Sequence, residues 1–237
     1  MDKTLHGLRD ALNDFSGPIE QEGLIAMNNY ARHSLGDILH QLLISDDSCL
    51  RRQFEMRAVP AGFVSVTLAR HFKLGFEGPR VVLHLWPERG IDVASSQAHS
   101  HFVPFHSVTV FGKIEHAFYE LRSGGNAPHS FFRRDGKTFI QEVQDPVGFD
   151  VEEQLIVPEG DGIFLPSSRI HTVTVSPRCL TIAAESAPDT NLVHILSLAG
   201  GQIDIDRDMS AMQAANDALW GNIGLVRAQI LAFKNIL

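Results

Sequence analysis

Cysteine is scarce in this chain, with two in 237 residues. That count excludes a disulfide framework, and Cys49 and Cys179 read as reduced thiols of a cytoplasmic protein. Basic charge is in deficit: Lys plus Arg number 20 against 28 for Asp plus Glu, a formal net charge of −8. A nucleic-acid partner needs a basic face, so this balance argues against one. No stretch approaches the ~18 uninterrupted apolar residues of a membrane helix. The opening Met1-Asp2-Lys3-Thr4-Leu5-His6 has no apolar run of the signal-peptide type. Repeats and low-complexity tracts are missing, as are GxGxxG and P-loop patterns, so neither a dinucleotide nor an NTP site is supported. What is plentiful is histidine, with twelve residues, in a chain that is 44% hydrophobic and 20% charged. That is globular composition, long enough for one domain with a sizeable core.

Three regions differ in pattern. Residues 1–50 read as a helical extension. Leu5, Leu8, Leu12 and Phe15 recur at helical spacing up to Ser16-Gly17-Pro18, and a second helical pattern runs from Ile19, with a break near Ser34-Leu35-Gly36. Residues 51–200 carry short β-prone runs: 62–68, 80–86, 107–111, 114–121, 163–165, 172–175 and 179–183. Turn-rich clusters such as Ser123-Gly124-Gly125-Asn126-Ala127-Pro128 separate several of them, which predicts an antiparallel sandwich or barrel. Residues 201–237 are helical again, capped by Asp206 or Asp208. Met209, Met212, Ala215, Leu219, Ile223, Val226, Ile230 and Phe233 make a long apolar face. That face packs on the barrel or forms a homodimer contact.

The chemistry concentrates in Ser96-Gln97-Ala98-His99-Ser100-His101-Phe102-Val103-Pro104-Phe105-His106. Alternation along a strand points His99 and His101 the same way, with α-carbons ~6.7 Å apart. From there two imidazoles can converge on one ion at bonds of ~2.0–2.1 Å. A third donor is available in Gly160-Asp161-Gly162-Ile163-Phe164-Leu165-Pro166-Ser167-Ser168-Arg169-Ile170-His171.

These two motifs resemble those of the cupin superfamily of small β-barrels: His99-x-His101 followed by Gly112, then Gly160/Gly162, Pro166 and His171. The resemblance covers roughly residues 55–190. It implies a mainly β, cupin-type antiparallel barrel (a jelly roll) with helical N- and C-terminal extensions, holding one divalent metal. The family's glutamate falls at Phe105, next to His106. Two registers follow. With a regular strand back from Gly112, Phe105 faces inward and three histidines hold the metal. With a one-residue slip at Pro104, His106 turns inward as a fourth ligand. Without the carboxylate, neutral imidazoles leave a +2 charge uncompensated, which favours an anionic small-molecule substrate. Imidazoles suit Fe, Cu, Ni and Zn, with Mn also open.

A closer resemblance is to the three-histidine thiol dioxygenase branch, typified by cysteine dioxygenase, carried by Leu68-Ala69-Arg70-His71-Phe72, Arg80-Val81-Val82-Leu83-His84-Leu85-Trp86, Ser95-Ser96 and His99-x-His101. It implies an Fe(II) dioxygenase, with Arg70 holding a substrate carboxylate through its guanidinium fork. The branch's cysteine near Phe105-His106 is absent, and the His and Tyr expected in Leu180-Thr181-Ile182-Ala183-Ala184-Glu185-Ser186 are replaced, which leaves a thiol or another small acid open. Tyr119 and Glu185 are candidate proton-transfer residues on strands that reach a cavity, and Glu115 and His116 share the strand of Tyr119. The alternatives are a redox-neutral lyase or isomerase and a non-enzymatic metal-dependent sensing barrel.

Overall fold

A computed structural model describes residues 3–14, 18–46, 54–58, 63–71, 73–74, 78–86, 97–135, 138–200 and 223–234. Three helices come first: α1 (Lys3–Asn13), α2 (Gln21–His33) and α3 (Leu35–Ile44). Ser34 alone divides α2 from α3, where the sequence reading has its break. Eleven strands follow: β1 (Glu55–Ala58), β2 (Val64–Arg70), β3 (Arg80–Leu85), β4 (Gln97–His99), β5 (Phe105–Phe111), β6 (Lys113–Asp135), β7 (Thr138–Pro158), β8 (Gly162–Leu165), β9 (Ile170–Val175), β10 (Leu180–Glu185) and β11 (Leu192–Ser197). The last described element is α4 (Ile223–Lys234). None of the described helices is long and apolar enough to cross a membrane.

The strands form two antiparallel sheets. Sheet A has the order β1-β2-β3-β10-β5-β8 and sheet B the order β11-β4-β9-β6-β7, with β11 also pairing β6. This is the mainly β, jelly-roll architecture expected from the sequence. One face of sheet A packs against the helices. Leu5, Leu8, Leu12, Leu24, Ile38, Leu39 and Leu42 share a single core with Val66, Leu68, Leu83, Leu85 and Ile182. Ile230 and Phe233 of α4 enter the same core, so the described end of this helix packs within its own chain. The helices thus form one core with the outer face of sheet A, because that face of β2, β3 and β10 is apolar and needs a cover. The capping positions Asp206 and Asp208 and the residues from Met209 to Leu219 lie outside the described residues, as does Cys49.

The turn expected at 123–128 is absent. β6 runs through it and pairs with β7 along most of both strands, with register shifts between Arg122 and Ala127 and again between Ala127 and His129. The glycines make a bulge instead of a reversal. Gly124 has φ +75°. A Cβ on Gly125 would lie 2.3 Å from the backbone nitrogen of Gly148, so only glycine lets the strands approach there. Strands β1, β7 and β11 were not expected, and β4 was expected only through the alternation of His99-x-His101. β7 is rich in Glu, Asp and Gln, and β4 is three residues long, so neither carries the apolar alternation that identifies a strand.

Candidate metal centre

His99 ends β4, and His101 follows it with its backbone N–H bonded to the carbonyl of Ser167, at 2.9 Å. His171 lies on β9, opposite His99 in the ladder. Strand alternation therefore turns His99 and His101 to one side, and cross-strand pairing brings His171 to the same side. One nitrogen from each ring falls within 4.8 Å of the others. The Nε2 atoms of His101 and His171 are 2.9 Å apart, matching the ~2.9 Å between two donors at right angles on an ion with bonds of ~2.0–2.1 Å. Burial lowers the pKa of all three, and the neighbouring imidazoles lower those of His101 and His171 further. They are neutral at pH 7 and ready to bind metal. Donor set, spacing and protonation all fit a divalent ion.

Phe105 lines the cavity, its ring edge-on to His101 with centroids 4.8 Å apart. His106 points the other way, onto α2. Its Nδ1 lies 2.9 Å from Nδ2 of Asn28, and the same amide donates to its carbonyl oxygen at 2.5 Å. A Cβ on Gly162 would come within 2.8 Å of the His106 ring, which is why β8 begins with glycine. This is the regular register, with three histidines at the centre and His106 buried between sheet A and the helix.

His116 of β6 stands behind His171. Their Nδ1 atoms are 3.1 Å apart and the rings stack at 16°. Burial pushes the His116 pKa down to about 4, so it too is neutral. With Nε2 of His171 turned to a metal, the proton of His171 sits on Nδ1, and His116 accepts it. An acceptor behind a ligating imidazole fixes its tautomer and orientation.

Both sheets line a cavity of about 810 Å3 that includes the three histidines. Its sheet A wall carries Arg57, Ser65, His84 and Thr181 in one cross-strand row, with Arg80 and Glu185 further along. Arg80 Nε donates to Glu185 Oε2 at 2.5 Å. Burial raises the pKa of Glu185, but Arg80, with His84 and Arg57, outweighs this and holds the carboxyl below its ordinary range. His84 is pushed down to about 4, first by burial. The aromatic part of the wall includes Phe63 and Trp86, with ring centroids 4.2 Å apart.

No family model matches this chain. No curated protein matches it either. Solved structures do. It is similar to an RmlC-like cupin from Shewanella frigidimarina at 16% identity, over 58% of this chain and 87% of that one, with a TM-score of 0.33. It is similar to hydroxypropylphosphonic acid epoxidase from S. wedmorenis at 15% identity, over 77% and 88%, with a TM-score of 0.31. A cupin-like protein from Thermotoga maritima is 12% identical over 60% and 73%, with a TM-score of 0.25.

The structure places the remaining candidates as follows. Glu185 faces the cavity. Arg70 stands opposite Arg80 in the ladder, ion-paired with Glu55, and does not line the cavity. Tyr119 packs with Ile170 and Leu196 on the other face of sheet B, its hydroxyl 3.2 Å from that of Thr172. Glu115 bonds Lys113 at the surface. Cys179 is buried, and its thiol is pushed up to about 12 by burial, an inert packed group. Sequence reasoning gave no role to Arg57, Arg80 or His84. A period-two reading of Arg80-Val81-Val82-Leu83-His84-Leu85-Trp86 would have put Arg80, His84 and Trp86 on one face.

Proposed function

We propose that this chain is a mononuclear metal-dependent enzyme, and specifically an Fe(II) dioxygenase or oxygenase acting on a carboxylate-bearing small molecule. The observation that carries the reading is the meeting of three neutral imidazoles, His99, His101 and His171, in a cavity lined by both sheets. Three protein ligands leave open positions, the arrangement of a catalytic and not a structural site. A divalent ion bound there supplies Lewis acidity and, as Fe(II), a route to O2. The resemblance of segments 68–72, 80–86 and 95–101 to the thiol dioxygenase branch supports the oxygenase assignment, without fixing a thiol as substrate.

The chain's own residues do the rest. His116 holds the His171 ring through Nδ1. Phe63, Trp86 and Phe105 give the cavity an apolar wall, beside which charge interactions are stronger than in bulk water. Glu185 is ionised against Arg80, so its Oε1 is a proton acceptor within the cavity.

The test is oxygen uptake by protein reconstituted with Fe(II), against a library of carboxylic acids. Substrate-dependent uptake that vanishes in His101→Ala supports the reading. Uptake that is unchanged in that variant refutes it. The ionised Glu185 favours a second reading, a redox-neutral lyase or isomerase in which that carboxylate moves a proton. Turnover with Zn(II) or Ni(II) without oxygen distinguishes it.

A further inference from the structure

The proposed function calls for an anionic substrate but names no group to hold it and no body size, and the cavity supplies both. We infer that Arg57 is the anion anchor of this cavity, and that the ligand it holds is a monocarboxylate carrying an aromatic or comparably bulky apolar body, the arylalkanoate class, and not a two- or three-carbon acid. This rests on the metal-site reading only for what happens at the far end of the ligand.

Charge identifies the head group. Among the described residues two guanidiniums line the cavity, Arg57 and Arg80. Arg80 is neutralised by Glu185, at 2.5 Å. Among the described residues Arg57 makes no hydrogen bond or ion pair, although it is largely buried; it feels Arg80 unfavourably and Glu185 favourably, but that one carboxylate is bonded to Arg80. An unpaired buried guanidinium is costly, and its planar fork matches a carboxylate bidentately. One uncompensated positive charge calls for one negative charge.

Space identifies the body. A volume of about 810 Å3 lies toward the upper end of the ~300–1,000 Å3 typical of drug-sized ligand sites. His101 packs on Phe105 of β5, whereas Arg57 is on β1, four strands away in sheet A. His84 lies between, on β3, within electrostatic reach of both His101 and Arg57. Between them the wall is aromatic: Phe63 lies against both Trp86 and His84, with ring centroids 4.2 Å and 4.7 Å apart. Aromatic walls favour a flat apolar body through offset and edge-to-face contacts.

Calorimetric titration of the zinc-loaded chain, and of the metal-free chain in parallel, tests this with three probes: 3-phenylpropionate, its neutral amide and acetate. The acid is expected to bind at least tenfold more tightly than either of the others. Arg57→Gln is expected to weaken the acid by about ten- to hundred-fold, the value of a charge-assisted pair, and to leave the amide unchanged. Arg57→Lys, which keeps the charge and strand register, falls between, and guards against a folding defect in the first variant. Arg133→Gln, on the exposed β6–β7 hairpin, leaves binding unchanged. Equal binding of acid and amide, equal binding of acid and acetate, or loss of binding in Arg70→Gln with none in Arg57→Gln, each overturns the assignment. Zinc content separates this from the metal reading. Failure to hold zinc with Arg57-dependent binding intact sinks the metal site alone, and stoichiometric zinc with Arg57-independent binding sinks the anchor alone.

Discussion

Replacing His116 by Phe separates metal affinity from fold stability. Without metal, the His101 and His171 Nε2 atoms, 2.9 Å apart, share a proton, so His171 can carry its hydrogen on Nε2. Metal binding strips both Nε2 atoms and forces the His171 proton to Nδ1, where His116 Nδ1 waits at 3.1 Å. Phe keeps a flat ring to stack against His171 and Phe118 but accepts nothing. The variant therefore leaves a buried N–H unpaired only in the metal-bound state. That costs about 1–3 kcal/mol. Loss of such a partner behind a metal ligand typically lowers metal affinity about 10–100-fold, or about 1.4–2.7 kcal/mol, in agreement. Competition with a chromophoric zinc chelator measures the affinity, and urea unfolding of the metal-free protein measures the fold. An unchanged zinc affinity, or a loss matched in full by unfolding of the metal-free state, refutes the reasoning.

Three further outcomes are expected. His106→Ala keeps stoichiometric metal, since its ring bonds Asn28 outside the cavity, and lowers stability by about 1 kcal/mol; metal content by elemental analysis checks it, and loss of the ion would make His106 a ligand. Acid destabilises the metal-free protein between pH 6.5 and 4. His84 and His116 have folded pKa values of about 4 against 6.5 unfolded, so the unfolded chain takes up protons first and stability present above pH 6.5 is lost as pH falls; each contributes up to about 3 kcal/mol, and a denaturation midpoint flat across that range counts against it. Leu83→Ala, at the centre of the core shared by sheet A and the helices, costs about 2–5 kcal/mol in chemical denaturation and melts α1–α3 together with the barrel; a barrel that survives without the helices would show two cores.

Several features were legible in the residues alone. The spacing of Leu5, Leu8 and Leu12 marked α1, and Ser34 divided two helices because apolar periodicity breaks there. The two inward histidines of His99-Ser100-His101 followed from period two, a local property of any strand. Other features are long-range. Gly124 and Gly125 read as a turn and became a bulge because Gly148, far along the chain, lies against them. Whether Phe105 or His106 faces the cavity depended on how β5 pairs with β10 and β8, and on Asn28 of α2 being there to receive the outward ring.

By itself, then, the sequence determined the composition of the site: which imidazoles lie on a common strand face, and that no carboxylate stands where the resemblance expects one. It determined this because side-chain alternation is set by the backbone within a few residues. Only the tertiary structure decided that Arg57 and not Arg70 borders the cavity, that Glu185 is ionised against Arg80, and that His116 backs His171. Those relations join strands that lie far apart in the chain, and the pairing order of two sheets is fixed by the packing of the whole core, not by any local pattern of residues.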